Sequence, residues 1–265
     1  MACNCIVIVR EVWDTRDLST QVLDEQGQVR GGALQTRFEP EDLNALEIAL
    51  RIKDAQGGKV TVLSLGEPGA VDVPREALYR GADEAARIDV KRDEVDTQAA
   101  ARLLAAAIQK LGGADLVLTG VTVPEGENSL LGSHVAAFLE LEQASYVDSV
   151  DKVEGGIVTA RRAIEMGYET LTIPCPAVIT AGVALLEDDP RTPRSAKAML
   201  KLKHKKTEIK ALKPAELGVP DVAALRTTRV AKRAAIPERV IQSIEVDPES
   251  ETALKNMLES VLKGS

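Results

Sequence analysis

Residues 97–120 read TQAAARLLAAAIQKLGGADLVLTG and hold one complete helix-to-strand unit. Thr97–Leu111 is rich in Ala and Leu, the strongest helix formers, and Gly112-Gly113 ends the run. Asp115–Thr119 (DLVLT) is a short apolar stretch suited to a strand buried on both faces, closed by Gly120. The same alternation extends upstream. Residues 3–9 (CNCIVIV) read as a first strand, and Leu43–Lys53 as a helix with Leu43, Leu46 and Leu50 at helical spacing. Val60–Leu65 (VTVLSL) is a second strand closed by Gly66, Asp72–Arg80 a helix stopped by Gly81, and Ala85–Val90 a third strand. Ser129–Leu139 reads as a further helix. Strands alternating with helices through short connections predict an α/β fold, a doubly wound parallel sheet.

The period changes after residue 140. Tyr146–Val153 and Ile157–Arg162 flank Glu154-Gly155-Gly156, a hairpin signal, and Tyr168–Ile173 and Ala177–Thr180 add two strands. These are expected as antiparallel additions to the parallel sheet. From Ala181 onward Pro, Lys and Arg interrupt any regular core pattern, until 248–262 resume an amphipathic helix through Leu254, Met257, Leu258 and Val261. The expected organisation is an α/β domain over 1–180, a distinct segment over 181–206, and a C-terminal arm and helix over 207–265.

Composition limits function. Two Phe, three Tyr and one Trp in 265 residues leave an aliphatic core and exclude a multi-ring platform for stacking bases along a strand. A net charge of −8 argues against nucleic acid as a partner. No apolar run approaches the ~20 residues of a membrane span, and the N-terminus has no basic region before its apolar run, so a cytoplasmic protein is expected. The total conceals an asymmetry. Residues 181–240 carry fourteen Lys/Arg against seven Asp/Glu, a local +7 beside −15 for the remainder. Within it, Ala198–Lys206 alternates apolar residues with cations, as a segment with an acidic partner would; a solvated lysine-rich loop has the same composition.

In open α/β sheets a ligand sits beyond the carboxyl ends of the strands, against helix N-termini. Here those ends lead into Arg10–Asp14, Leu65-Gly66 and the loop Gly120–Leu131 (GVTVPEGENSLL), which opens a helix and suits a phosphate or nucleotide, or is an ordinary polar connection. Walker A, GxGxxG and SGGxDS signatures are absent. The two histidines, His134 inside a helix and His204 among lysines, give no triad and no metal set. Cys3 and Cys5 share a strand face and Cys175 lies between prolines; all three read as structural thiols. No catalytic residue and no metal ligand are expected, only a binder of a nucleotide and a partner.

Taken in order, the motifs resemble the β subunit of electron transfer flavoprotein. Val9-Arg10-Glu11-Val12-Trp13-Asp14-Thr15 is similar to V-K-x-V-P-D-T, and Pro40–Leu50 (PEDLNALEIAL) to N-P-x-D-x-x-A-L-E-x-A-L once Glu39 is set against the Asn. Val60–Gly66 and Gly81-Ala82-Asp83 follow at the family's spacing. Ala160–Leu171 (ARRAIEMGYETL) with Pro176–Thr180 resembles the family signature, Met166 standing where Gly, Asp or Glu is usual. Pro190-Arg191, the Lys-rich stretch through Lys206 and Leu217-Gly218-Val219 complete the likeness, which spans essentially the whole chain.

The resemblance implies a Rossmann-like fold of the adenine-nucleotide α-hydrolase kind and a heterodimer whose α subunit holds the redox-active FAD, with AMP in this subunit; in electron-bifurcating members FAD takes that second place. By carry-over, the nucleotide would meet Ile8, the turn Glu39, Pro40, Glu41 and Asp42, and Leu65 with Gly66. It would also meet the loop Gly120, Val121, Thr122 and Val123, then Glu125, Gly126, Glu127, Asn128, Ser129, Leu130 and Leu131. That loop departs from D-x-D-x-x-Q-T/V-G, since Leu130 and Leu131 replace the Gln and Thr near the phosphate, while backbone N–H groups and the Ser129 hydroxyl remain. Glu39 places a carboxylate where Asn is usual. The basic segment resembles the family's recognition loop for partner dehydrogenases, of the acyl-CoA type, from which electrons pass to a membrane quinone oxidoreductase. Docking would fall on Arg191, Arg194, Ser195, Lys197, Met199, Leu200, Lys201 and Lys203, with Ser195 replacing the usual Leu anchor and Met199 or Leu200 available instead. A stand-alone adenine-nucleotide sensor is the competing reading; it leaves the basic segment and the C-terminal arm without a role.

Overall fold

A computed structural model describes residues 2–15, 22, 29–30, 33–91, 94–121, 130–182, 207–227 and 251–263. The chain divides into a larger unit, 1–17 with 34–231, and a smaller one, 18–33 with 232–265.

In the larger unit, β1 (Cys5–Ile8) is the strand around which the sheet is wound. It alternates Cys5 and Val7 toward one layer with Ile6 and Ile8 toward the other, and all four are buried. A small hairpin follows, β2 (Glu11–Trp13) antiparallel to β3 (Thr36–Phe38). Helix α1 (Pro40–Gln56) then leads to β4 (Val60–Gly66), α2 (Asp72–Arg80) and β5 (Glu84–Asp89). Helix α3 (Thr97–Lys110), β6 (Leu116–Gly120) and α4 (Leu131–Leu139) come next. The long β7 (Glu142–Glu154) is followed by β8 (Ile157–Ile164), β9 (Gly167–Pro174), β10 (Ala177–Ala181) and β11 (Ile209–Leu212).

Among the described residues the main sheet has nine strands in the order β11-β5-β4-β1-β6-β10-β7-β8-β9, parallel from β11 through the β10–β7 pair and antiparallel beyond. The chain moves from β1 to β4 and β5 on one side, then returns to place β6 on the other, so the winding reverses between β1 and β6. Helices α1 and α2 pack on one face and α3 and α4 on the other. The doubly wound α/β class holds. The fully buried side chains of greatest volume, among them Leu46, Leu103, Leu104, Leu118 and Ile179, are all aliphatic.

Two parts of the sheet differ from the expectation. Ala177–Ala181 is not an antiparallel addition; it enters the sheet between β6 and β7, parallel to both. All five of its residues are buried, and such a run suits the doubly covered centre of a sheet. Strand β7 pairs with β10 through its first half and with β8 through its second, with register shifts near Val147–Ser149 and Val150–Lys152 and a left-handed Tyr146 (φ 59°). These irregularities carry one strand from the parallel region into the hairpin. The expected turn stands there, with Gly155 and Gly156 both at positive φ. Second, the sheet draws β11 from beyond residue 180. Its parallel pairing with β5 buries Leu212, and the following stretch reaches α3, where Lys110 Nζ donates to the Glu216 carbonyl at 2.9 Å.

The smaller unit holds α5 (Glu251–Lys263), as the sequence pattern suggests, with Leu254 and Leu258 exposed on it. No described helix is long and apolar enough to cross a membrane.

Candidate functional site

The carboxyl ends of β1 and β6 meet the first turn of α1 in a closed set of contacts. Helix α1 starts at Pro40, whose fixed φ suits a first turn, and the side chain of Glu39 caps it by accepting from Asp42 N–H at 2.9 Å. The Asp42 carboxylate is fully buried. Its Oδ2 accepts from the Arg10 backbone N–H at 2.8 Å and from Arg10 Nε at 2.9 Å. Its Oδ1 accepts from Arg10 Nη2 at 2.8 Å and from the Gly120 N–H at 2.7 Å. One side chain thus ties together the chain two residues past β1, the last residue of β6 and the start of α1. Gly120 is required by proximity, since a Cβ there would sit 2.6 Å from Glu41 Cβ and 2.9 Å from Asp42 N.

Electrostatics follow from burial. Burial opposes the charge of Arg10, yet the carboxylates of Asp42, then Glu39 and Glu41, hold the guanidinium above its ordinary pKa. Arg10 Nη2 lies 3.8 Å from Glu39 Oε2. For Glu39, burial and the neighbouring Asp42 charge push the carboxyl up to about 7, against the helix-cap hydrogen bond and Arg10, which pull it down.

Beside this knot a cavity of about 570 Å³ opens over the ends of β1, β4 and β5. Leu65, Gly66 and Val90 at the ends of β4 and β5 line it, with Arg10–Trp13 and Thr36, and Val95–Thr97 and Ala100 at the start of α3. Leu131 at the start of α4, Glu67, Gly69 and Ala70 complete the described lining. Asp96 is the α3 cap, accepting from Ala99 N–H at 2.9 Å and, on its other oxygen, from Thr227 N–H at 2.7 Å. The start of α4 differs: no side chain caps it and its first turn has no acid. Gly132 lets that turn lie against the sheet, because a Cβ would fall 2.3 Å from Thr180 Cγ2.

Of the residues expected to meet a ligand, Leu65, Gly66 and Leu131 line the cavity. Glu39, Pro40, Glu41 and Asp42 lie at the adjacent knot, where Gly120 also ends, and Asp42 is committed to Arg10 and Gly120. Val121 is buried, with its N–H on the Ala181 carbonyl at 3.2 Å. Ile8 is buried inside β1 and is not a lining residue; Leu130 is exposed. Thr122, Val123, Glu125, Gly126, Glu127, Asn128 and Ser129 lie outside the described residues, as does every expected docking residue from Arg191 to Lys203. The residues of β2 and of the α3 start that line the cavity are not among those expected from the sequence to meet a ligand. The signal was present, since the strand end leads into Arg10–Asp14 and Trp13 is the chain's one tryptophan.

Residues 32–217 match the electron transfer flavoprotein domain. The chain is 36% identical to the electron transfer flavoprotein subunit beta of Thermoanaerobacterium thermosaccharolyticum, over 82% of this chain and 80% of that protein. The chain belongs to the electron transfer flavoprotein β-subunit family. It is also 34% identical to the caffeyl-CoA reductase-Etf complex subunit CarD of Acetobacterium woodii, over 70% of each chain. Against protein FixA of Azorhizobium caulinodans it is 32% identical, over 94% of this chain and 90% of that one. As a member of this flavoprotein family it serves electron transport as a carrier subunit. The matched region contains both the Arg10-facing side of the knot, Glu39–Asp42 and Gly120, and all of the cavity except Arg10–Trp13.

Proposed function

We propose that this chain is the β subunit of a heterodimeric electron transfer flavoprotein and holds AMP in the cavity at the carboxyl edge of its sheet. The observation that carries the reading is the shape and charge of that cavity. Its volume lies in the range of roughly 300–1,000 Å³ found for small-molecule sites, and its walls are mainly apolar. Arg10 is the one cation among the described lining residues, and its charge is already matched by Asp42 and Glu39. Glu11, Glu67 and Asp96 add carboxylates to the lining. A single phosphate suits such a site better than a diphosphate, and the acid-free start of α4 offers its backbone N–H groups.

In this reading FAD, held mainly by the α subunit, supplies the electron-accepting ring, and this chain supplies scaffold, nucleotide site and docking surface. The basic segment over 181–206 would dock an acyl-CoA-type dehydrogenase, through Arg191, Arg194, Ser195, Lys197 and the Met199–Lys203 stretch, and the acceptor is a membrane quinone oxidoreductase. The C-terminal arm and helix within 207–265 would hold the α subunit. Glu39–Asp42, Gly120–Val123, Glu125–Ser129 and Leu130 would complete the nucleotide site around the lining residues Leu65, Gly66 and Leu131, with Ile8 beneath. The cytoplasm is the expected compartment.

A second reading places FAD in this subunit, for electron bifurcation. Likeness to a chain named as part of a caffeyl-CoA reductase-Etf complex supports it. Purifying the chain with its α subunit, denaturing the complex and separating the released nucleotides tests both. One FAD and one AMP per heterodimer is the expected result. Two FAD would replace the first reading by the second, and one FAD with no further adenine nucleotide would end both.

A further inference from the structure

We infer that the cavity takes up an anionic ligand together with a proton, and that Glu39 is the carboxyl that receives the proton. The inference rests on the nucleotide reading above and adds to it the residue that sets how ligand charge is tolerated. Glu39 stands where the N-P-x-D pattern has Asn, so the ionisable group is a departure of this chain.

The knot beside the cavity holds one matched ion pair and one surplus carboxyl. The Arg10 guanidinium meets both Asp42 oxygens, through Nε at 2.9 Å and Nη2 at 2.8 Å, and Asp42 also accepts from the Arg10 and Gly120 N–H groups. Glu39 is left over. Its Oε2 accepts from the Asp42 N–H at 2.9 Å and lies 3.8 Å from Arg10 Nη2, beyond hydrogen-bond reach. Its Oε1 makes no hydrogen bond among the described residues, so a proton can sit there without disturbing the helix cap. With that proton Glu39 leaves Arg10 and Asp42 as a neutral pair; without it the three groups carry one excess negative charge. Glu39 is only 2% exposed, so solvent ions screen this charge poorly. Among the described residues, the charged groups acting on it are Asp42 and Glu41 of α1 and Arg10 beyond β1.

The surplus charge is coupled to the cavity through Arg10, which lines it and whose Nη1 is engaged by no described residue. An anion in the cavity is repelled by ionised Glu39 and spared that repulsion once the carboxyl is neutral. Anion and proton therefore favour each other's binding, and the coupling is reciprocal. Burial and the Asp42 charge already push this carboxyl up to about 7, against its cap bond and Arg10, so its proton exchanges where a ligand can tip the balance. An anion raises it further. AMP should bind with proton uptake above neutral pH and lose affinity as pH rises through 7, whereas an uncharged nucleoside should not.

The test uses the nucleotide-free complex of the full chain with its α subunit. Calorimetric titrations with AMP, and with adenosine as the uncharged ligand, run from about pH 5 to about pH 8 on wild type and Glu39→Gln, whose amide keeps the cap and cannot titrate. The second phosphate proton of AMP, lost near about pH 6, is common to both proteins and cancels in their ratio. The AMP affinity of Glu39→Gln relative to wild type is expected to rise by roughly 5-fold or more across the range, with the adenosine ratio flat. Infrared difference spectra of wild type decide the matter if the variant does not assemble: near pH 8 AMP should raise the protonated-carboxyl band, and adenosine should leave it unchanged. A flat AMP ratio, an equal rise for both ligands, or no gain in that band overturns the proton coupling while the nucleotide reading stands. Absence of AMP binding in wild type at every pH, with FAD bound in its place or nothing bound at all, overturns the reading of an AMP site itself.

Discussion

Helices α1 and α4 both begin at the carboxyl edge of the parallel sheet, and their first turns are completed in opposite ways. The first turn of α1 carries Glu41 and Asp42, is capped by Glu39 and is bound to Arg10 and Gly120. The first turn of α4 has no acid and no side-chain cap. Both ends present the positive pole of a helix. At α1 the protein's own carboxylates satisfy it, so that end holds the fold together. At α4, on the proposed reading, the backbone donors serve the phosphate of the nucleotide. On the proposed reading two similar elements at one edge divide into a structural joint and a binding end, and substitutions at each should separate stability from affinity.

The largest effect is expected at the joint. Asp42→Ala removes the partner of a guanidinium that is only 13% exposed and leaves the Gly120 N–H without its acceptor. Breaking a buried pair from one side costs about 3–5 kcal/mol. Urea unfolding should show a loss of that size, with Asp42→Asn losing less because an amide oxygen still accepts from Gly120. A loss below 1 kcal/mol would mean that Asp42 does not hold the joint.

Close approach separates the two ends next. A Cβ at Gly120 meets Glu41 Cβ and the backbone of Asp42, whereas a Cβ at Gly132 meets the methyl groups of Thr180 and Thr119. Overpacking of this kind costs about 1–3 kcal/mol. Gly120→Ala is expected at the upper end of that range, since backbone gives way less than side chains. Gly132→Ala is expected nearer the lower end and should also weaken AMP by shifting the start of α4. Equal stability losses with unchanged AMP affinity would remove the distinction between joint and binding end.

Much of this architecture is legible in the sequence, and the parts that are not have physical reasons. The alternation of VTVLSL, DLVLT and their helices specifies the parallel sheet because a doubly covered strand must be apolar throughout. Ala177–Ala181 is equally apolar, but nothing in five buried residues records the direction of their neighbours, and the preceding hairpins suggest the wrong one. Strand β11 buries only Leu212 fully, too little pattern to mark a strand. At the site, Leu65, Gly66 and Leu131 are found from strand ends and helix starts. Asp42 is found too, but its attachment to Arg10 and Gly120 spans 32 and 78 residues of chain, and local spacing contains no trace of such a pairing. Trp13 stands out only when its rarity is combined with its place just after the first strand.

The pH dependence of the joint gives the third separation. Glu39 in the fold titrates near 7, against roughly 4.3 in an unfolded chain, so the folded state binds its proton more tightly. Its stabilisation is complete below about pH 4 and is lost as pH rises through 7, with a slope of at most about 1.4 kcal/mol per pH unit. Between pH 5 and 8 wild type should lose stability relative to Glu39→Gln, whose amide keeps the cap without the titration. Parallel stability curves for the two proteins would show that Glu39 takes no proton in this range.

The smallest effect should carry the clearest sign. Leu130→Asp gives α4 the acid that α1 already has, at an exposed position beside its first turn. A carboxylate near a helix start adds about 0.3–1 kcal/mol of stability at low salt. The same charge opposes an anion at the same N–H groups, so AMP should bind several-fold more weakly while the protein unfolds at slightly higher urea. Gain and loss should both shrink as salt rises, because each is an exposed electrostatic effect. Tighter or unaltered AMP binding would mean that the phosphate does not lie at α4, and the contrast between the two helix ends would then concern stability alone.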